Sequence, residues 1–491
     1  MSSWLQKQRT ERPEQPAFYW QDSVWTFAEV EQEVQRWMTE FASKIPATEQ
    51  RIALFSRNSK ELYFSILALW ELGKELVLLN TQLSVAELTY QLDDAAVQYL
   101  VCAPTLRANF LSMKELHVIP MICTAQAAPV KTTKEPYQTD AVASIMYTSG
   151  TTGYPKGVLQ CFENHEASAL ATQENMQVTA NDCWLCSVPL FHISGLSIVI
   201  RQLVLGCSIR LYDRFDAQVV TKELSQGTGT ILSVVAIMLQ ELLEHYPAKG
   251  YSAHFKGLLL GGGPIGMQTL ERCQERAIPI IQSYGMTETC SQVVALCFDE
   301  AARKIGSAGK PLKGMNLKIM DLHGQKLPVN QVGEVWLKGK NVVTAYLNES
   351  PEQSRKWTED NWFKTGDMGY LDEEGYLYLV SRLSELIISG GENIYPTEIE
   401  QVIEQMPEVR EVAVVGEPDE RWGAVPVAYI VADTPVTKET VQAFVQPYLA
   451  KFKRPKQVYL CRTLPRTASG KLAKHQLTTN EREAFLRNEH S

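Results

Sequence analysis

The chain reads as an α/β protein. A large N-terminal domain of stacked, mostly parallel sheets with helices contains a small β-barrel-like unit, and a small α+β C-terminal domain comes after it. Three observations predict this. Strand-like runs alternate with helical patterns over most of the 491 residues, the signature of parallel sheets crossed by helices. After about residue 310 the texture shifts to short alternating runs broken by glycine turns, which read as hairpins. Beyond Arg382 comes a compact piece of mixed strands and helices.

In chain order, RIALFSRN, KELVLLNTQ and VQYLVCAP are short apolar strands, with helical SKELYFSILALWELG and SVAELTYQLDDA between them. SIRLYD, GTILSVV and FKGLLLGGG continue the alternation. LKIMDLHGQKL, GEVWLKGKNVV and GYLDEEGYLYLVSR form the hairpin region at about 310–381. ELIISGG is a strand and turn, PTEIEQVIEQM a helix, EVAVVGE and VPVAYIVAD strands, and TKETVQAFVQPYLAKF a helix. The expected domains are therefore 1–381 and 382–491.

Composition is that of a globular protein, with 45% hydrophobic and 21% charged residues. The net charge of −9 and the lack of a long basic run argue against a nucleic-acid partner. No uninterrupted apolar run has membrane-spanning length, and the first twenty residues hold no apolar core of a signal type. The expectation is a cytoplasmic protein without a membrane span, and a homo-oligomer stays open. Cys183-Trp-Leu-Cys186 is the lone CxxC, and no second pair completes a zinc site. It reads as a buried strand rather than a metal or redox motif.

The richest segment is Ser144–Val158, SIMYTSGTTGYPKGV. Thr148, Ser149, Gly150, Thr151, Thr152 and Lys156 offer backbone N–H groups, hydroxyls and one cation with little bulk, which suits a polyphosphate. It is not a Walker loop, because Gly157 follows the lysine. Four weaker segments accompany it. In LLLGGGPIG, a strand ends in Gly261, Gly262 and Gly263 before Pro264, where a flat ring has room or a bare turn suffices. QSYGMTETCSQ sets Tyr284, Thr287 and Glu288 just past a strand end, the usual ligand position in open α/β sheets. Asp367, in FKTGD, is either a turn-forming carboxylate or a grip on ribose hydroxyls. Lys471, in PRTASGK, sits on a loop that is mobile by default.

Together, in this order, these stretches resemble the superfamily of adenylate-forming enzymes: acyl-CoA synthetases, adenylation domains and luciferases. YTSGTTGYPKG, LFHISG, LLGGGP, QSYGMTET, GEVWLKG, YLNES, FKTGD, SRLSELIISGGENIYPTEIE and PRTASGK carry the resemblance over nearly the whole chain. It implies an ATP-dependent acid–thiol ligase working through an acyl-adenylate, with ATP, Mg²⁺ and coenzyme A. It further implies that Thr148–Thr152 and Lys156 hold phosphates. Gly261–Pro264, Gln282, Ser283 and Tyr284 wall the adenine. Thr287 meets the α-phosphate and Glu288 ligates Mg²⁺. Asp367 and Arg382 take the ribose, and Lys471 stabilises charge in adenylation. His192 gates or lines the acyl site. The C-terminal domain becomes mobile about a hinge at Ser384, where many relatives carry Asp or Lys. Gly390 and Gly391 leave room for a thin pantetheine arm.

LFHISGLS, IGSAGKPL and SGGENIYP narrow the resemblance to a subgroup activating an aromatic dicarboxylate. Its unreacted carboxylate needs an anchor. Arg201 interrupts the apolar helix HISGLSIVIRQLVLG and is the candidate, because a buried guanidinium wants a carboxylate. A surface or protein-paired arginine is the plainer reading. Ser194, Gly195, Leu196, Ser233 and Val234 are further pocket candidates. The rivals are a ligase for another aryl or medium-chain acid, a carrier-protein-loading domain and a non-enzymatic nucleotide binder. A nicotinamide oxidoreductase lacks its GxGxxG between strand and helix.

Overall fold

The computed structural model describes residues 3–486 apart from 112, 114, 129, 131–136, 149–154, 263–266, 302, 391, 435, 467–471, 479–482 and 484. Contacts divide the chain into two units, Met1–Leu317 with Leu337–Phe363, and Lys318–Trp336 with Lys364–Ser491. The compact mixed piece in the sequence places the boundary near 381; the contacts group residues from Lys364 onward together. The reason is strand pairing. Asn316–Met320, Gly333–Lys338, Phe363–Leu371 and Leu377–Arg382 lie side by side in one sheet, so most of it goes with the residues on its C-terminal side. Where a barrel-like unit is expected, these pairings give an open four-stranded order. Four strands are too few to close around an interior of side chains.

The first unit holds two sheets. One runs in the spatial order His117–Pro120, Tyr99–Cys102, Arg51–Phe55, Glu75–Leu78, Val142–Thr148, Lys156–Cys161. All its pairings are parallel except the last, an antiparallel hairpin. The other has nine strands, of which Ser208–Leu211, Cys183–Cys186, Ile231–Val234, Gly257–Leu260 and Ile280–Met286 form a parallel run. The helix Lys60–Glu71 is buried continuously from Leu62, and Ser59 caps it by accepting from the Leu62 N–H. Asn58 links the sheets. Its amide donates to the carbonyls of Val188 and Tyr212, and its Oδ1 accepts from the Leu190 N–H. That fixes the turn leading into His192.

In the second unit Gly423–Ala432 is central, flanked by Ile387–Ser389, Val409–Asp419 and Gln457–Leu460. The helices Pro396–Ile403 and Lys438–Val445 cover one face over Ile394, Ile399, Ile403, Val414 and Ile430. No helix among the described residues is long and apolar enough to cross a membrane.

Candidate active site

Four of the expected site segments leave the carboxyl ends of neighbouring parallel strands, in spatial order Cys183–Cys186, Ile231–Val234, Gly257–Leu260 and Ile280–Met286. An open parallel sheet presents its crevice there. His192 and its helix follow the first. Ser233 and Val234 end the second. Gly261 and Gly262 follow the third, and Gln282–Glu288 belongs to the fourth. The Gly261 N–H donates to the Val234 carbonyl, and Ser283 Oγ donates to the Leu260 carbonyl at 2.9 Å. A methyl on Gly261 would approach Ser283 Oγ to 3.3 Å, and Gly262 has φ +90°, so these glycines let two strand ends close up. Gly263 and Pro264 lie outside the described residues.

Tyr284, expected past the strand end, lies inside Ile280–Met286. The strand outlasts its parallel partner, whose register stops at Gln282, and pairs antiparallel with Ser291–Ala295 from Ser283 on. Thr287 and Glu288 then occupy a single 3₁₀ turn.

The phosphate-loop candidate joins the antiparallel strands Val142–Thr148 and Lys156–Cys161, with Thr148 opposite Lys156. It is therefore the tip of a β-hairpin, whereas a Walker loop runs from strand to helix. Ser149, Gly150, Thr151 and Thr152 lie outside the described residues. Lys156 Nζ stands 5.5 Å from the Tyr346 ring centre. The Tyr346 hydroxyl donates to Glu288 Oε1 at 2.9 Å, and the Val343 N–H donates to the Glu288 carbonyl. Cation, phenol and carboxylate thus meet beside the hairpin. Burial lowers the Lys156 pKa, Lys356 adds to that, and Glu288 and Glu352 oppose it. A partly dehydrated ammonium gains more from a phosphate than a fully hydrated one. Sequence reasoning assigned Tyr346 no role: it lies in YLNES, but no local spacing ties it to Glu288.

A nucleotide-bound Mg²⁺ takes one or two protein carboxylates, the rest of its shell being phosphate and water. Glu288, half-buried on its turn with one oxygen held by Tyr346, fits that donor set. Among the described residues no cluster of three or more His, Cys, Asp or Glu forms an all-protein cage.

On the acyl side, His192 is the N-cap of the helix Ile193–Leu205. Gly195 is needed there, because a Cβ would sit 2.2 Å from the Pro189 carbonyl oxygen. Ser194 is exposed and Leu196 buried. Arg201 is buried to 1% exposure. Its Nη2 donates to Ser291 Oγ at 2.9 Å, its Cζ lies 4.8 Å from the Trp184 ring centre, and its Nε has no partner. Trp184 Nε1 donates to Ser233 Oγ at 3.0 Å, linking two pocket candidates. No carboxylate pairs with Arg201 among the described residues. Burial pushes its pKa down to about 10, which leaves it charged at neutral pH.

In the second unit, Asp367 lies within the Phe363–Leu371 strand rather than at a turn. It faces Arg382 in register, with Oδ1 2.6 Å from Arg382 Nε. The flanking glycine suggests a turn in the sequence, but Gly366, at φ +77°, distorts the strand without ending it. Ser384 lies in the short 3₁₀ turn Leu383–Glu385. Gly390 has φ +59°, and a Cβ there would come 2.8 Å from Trp422 Cε3. Gly391 and Lys471 lie outside the described residues.

Cys183–Cys186 is a strand, so its two cysteines face opposite sides and do not share a ligand. Burial pushes the Cys183 thiol up to about 12, far from a reactive thiolate. A cavity of about 800 Å³ lies elsewhere in the first unit, at the carboxyl ends of Arg51–Phe55 and Tyr99–Cys102. It holds none of the expected site residues.

The chain is similar to known proteins over nearly its whole length. A family model described as AMP-binding enzyme matches residues 5–347, and one described as AMP-binding enzyme C-terminal domain matches residues 398–471. A 2-succinylbenzoate–CoA ligase of Enterococcus faecalis is 62% identical over 484 residues, covering 99% of each chain. One from Listeria monocytogenes is 42% identical, covering 97% of this chain and 99% of that one. The solved o-succinylbenzoate CoA synthetase from Bacillus subtilis, in complex with its acyl-adenylate intermediate, superposes with a TM-score of 0.91 at 38% identity over 98% of each chain.

Proposed function

The chain belongs to the family of AMP-binding enzymes, and we propose that within it the protein is an o-succinylbenzoate–CoA ligase. It joins o-succinylbenzoate to coenzyme A at the expense of ATP, the activation step of menaquinone biosynthesis, and works in the cytoplasm. What carries the substrate assignment is one coincidence. Full-length likeness to 2-succinylbenzoate–CoA ligases meets a buried guanidinium with an unpartnered Nε and no carboxylate partner among the described residues.

The succinyl carboxylate attacks the α-phosphorus of ATP, and pyrophosphate leaves with the P–O bonding pair. The CoA thiol, giving up its proton, then attacks the acyl carbon and AMP departs. The first step needs positioning and charge neutralisation rather than a protein nucleophile. Thr148–Thr152 and Lys156 bind the β- and γ-phosphates. Gly261–Pro264 and Gln282–Tyr284 enclose the adenine, and Asp367 and Arg382 hold the ribose. Thr287 donates to the α-phosphate, and Glu288 holds Mg²⁺, which when bound neutralises phosphate charge. His192, Ser194, Gly195, Leu196, Ser233 and Val234 shape the acyl pocket, and Arg201 anchors the benzoate carboxylate. Lys471 supports adenylation. The domain from Arg382 on then turns about Ser384 and brings Gly390 and Gly391 to the thiol step.

The test is pyrophosphate release with a panel of acids, with and without CoA. Release specific to o-succinylbenzoate, with CoA-dependent thioester formation, is expected. Equal release with benzoate or medium-chain acids would contradict the substrate assignment.

A further inference from the structure

We propose that Gln160 is a positioning residue, which locks the hairpin carrying the phosphate loop to the strained turn presenting Thr287 and Glu288. The inference rests on the proposed function, in which those two residues face the nucleotide.

Gln160 is fully buried in the Lys156–Cys161 strand. Its Nε2 donates to the Thr287 carbonyl at 2.7 Å, across 127 residues of sequence. Its Oε1 accepts from Ser144 Oγ at 2.7 Å, and Ser144 is its register partner across the hairpin. Ser144 Oγ also lies 2.9 Å from His165 Nε2. Proton counting sets the direction. Ser144 has one proton and gives it to Gln160, so His165 Nε2 carries a proton and donates to Ser144. The remaining ring nitrogen, Nδ1, is then a bare lone pair, and it is the His165 atom without a partner. The donors run one way, from His165 through Ser144 and Gln160 to Thr287. Bonds in such a line polarise one another.

The turn at the end of this line is strained. Cys290 and Ser291, neither of them glycine, have φ of 50° and 106° in succession. Such residues cost of order 1–3 kcal/mol each and persist only where their surroundings over-determine them. Two buried side chains supply that constraint from the elements after the phosphate loop. Gln160 holds the Thr287 carbonyl, and Ser168, on the helix Phe162–Met176, donates to the Cys290 carbonyl at 2.7 Å. The Thr287 carbonyl already accepts from the Cys290 N–H at 3.2 Å, so satisfying it does not require a glutamine. What the glutamine adds is a link between two segments that must act on one polyphosphate.

Gln160→Leu keeps the volume and removes the link. Supporting groups of this kind typically contribute roughly 10–100-fold to activity or metal affinity. We expect a loss of that size in succinylbenzoate-dependent pyrophosphate release, and a parallel loss of Mn²⁺ affinity in the enzyme–ATP complex, read by electron paramagnetic resonance. The KM for succinylbenzoate and thioester formation from supplied acyl-adenylate should stay within about twofold of wild type. Ser144→Ala, a smaller change that frees Gln160 Oε1, should show the same split at lower amplitude, and it serves if Gln160→Leu does not fold. Equal loss of both half-reactions, or unchanged adenylation and Mn²⁺ affinity in the folded variants, overturns the proposal. If wild type releases no pyrophosphate with succinylbenzoate, the proposed function fails, and the Mn²⁺ comparison still judges the positioning role.

Discussion

Replacing Arg201 by methionine separates the anchor from an internal structural role. Methionine matches arginine out to Nε and comes close to it in total volume, so the cavity left by the guanidinium is small. Within the protein it loses one hydrogen bond to Ser291 and the stacking on Trp184, together about 1–3 kcal/mol. Against this stands relief from burying a charge at 1% exposure; apolar replacements of buried ionic groups are often neutral or stabilising. Net stability should therefore move by no more than about 1–2 kcal/mol. Binding is another matter. Removing one partner of a buried ion pair costs about 3–5 kcal/mol. Because Ser291 already engages one guanidinium nitrogen, about 2–3 kcal/mol is the better figure here. At 1.4 kcal/mol per decade that raises the KM for o-succinylbenzoate roughly 30–150-fold. The KM for ATP should hold, and an analogue lacking the ring carboxylate should be handled alike by both enzymes. The assay is coupled pyrophosphate release over a range of acid concentrations. An unchanged KM for the dicarboxylate, in a folded Arg201→Met protein, would refute the anchor and leave Ser291 and Trp184 as the whole of its role.

Lys471→Ala should abolish adenylation while thioester formation from supplied acyl-adenylate survives; equal loss of both steps contradicts the division of labour between domain orientations. Gly195→Ala places a methyl against the Pro189 carbonyl, so it should cost about 2–4 kcal/mol in thermal melts and raise the KM for the acid through His192. His165 is held neutral by burial, its pKa lowered to about 3. A base depressed in the fold contributes stability that is complete above its unfolded pKa near 6.5 and lost as pH falls towards 3. The loss is about 1.4 kcal/mol per pH unit. Denaturant titrations across that window should show the slope, and a His165→Gln variant should flatten it.

The glycine-rich strand end and the buried helix after His192 were legible in the sequence, because each is a local pattern: a glycine run, apolar periodicity. The wider α/β alternation was legible for the same reason. Asp367, read as lying at a turn, and Tyr284, read as lying past a strand end, both lie within strands. The glycine beside Asp367 reads as a turn, whereas the strand absorbs Gly366 at positive φ; Tyr284 stays in its strand because that strand finds a new antiparallel partner past Gln282. The sequence places the domain boundary near 381, where the compact C-terminal piece begins, while contacts group the residues from Lys364 onward with that piece.

What no local pattern carried are the links across long sequence separations. Tyr346 meets Glu288 across 58 residues, Gln160 meets Thr287 across 127, and Arg201 meets Ser291 across 90. Periodicity and spacing report what a residue's own segment prefers, so the sequence determined which chemistry the chain holds. Which groups face one another depends on how separate strands come to lie side by side, and that was decided by the tertiary packing of the sheets.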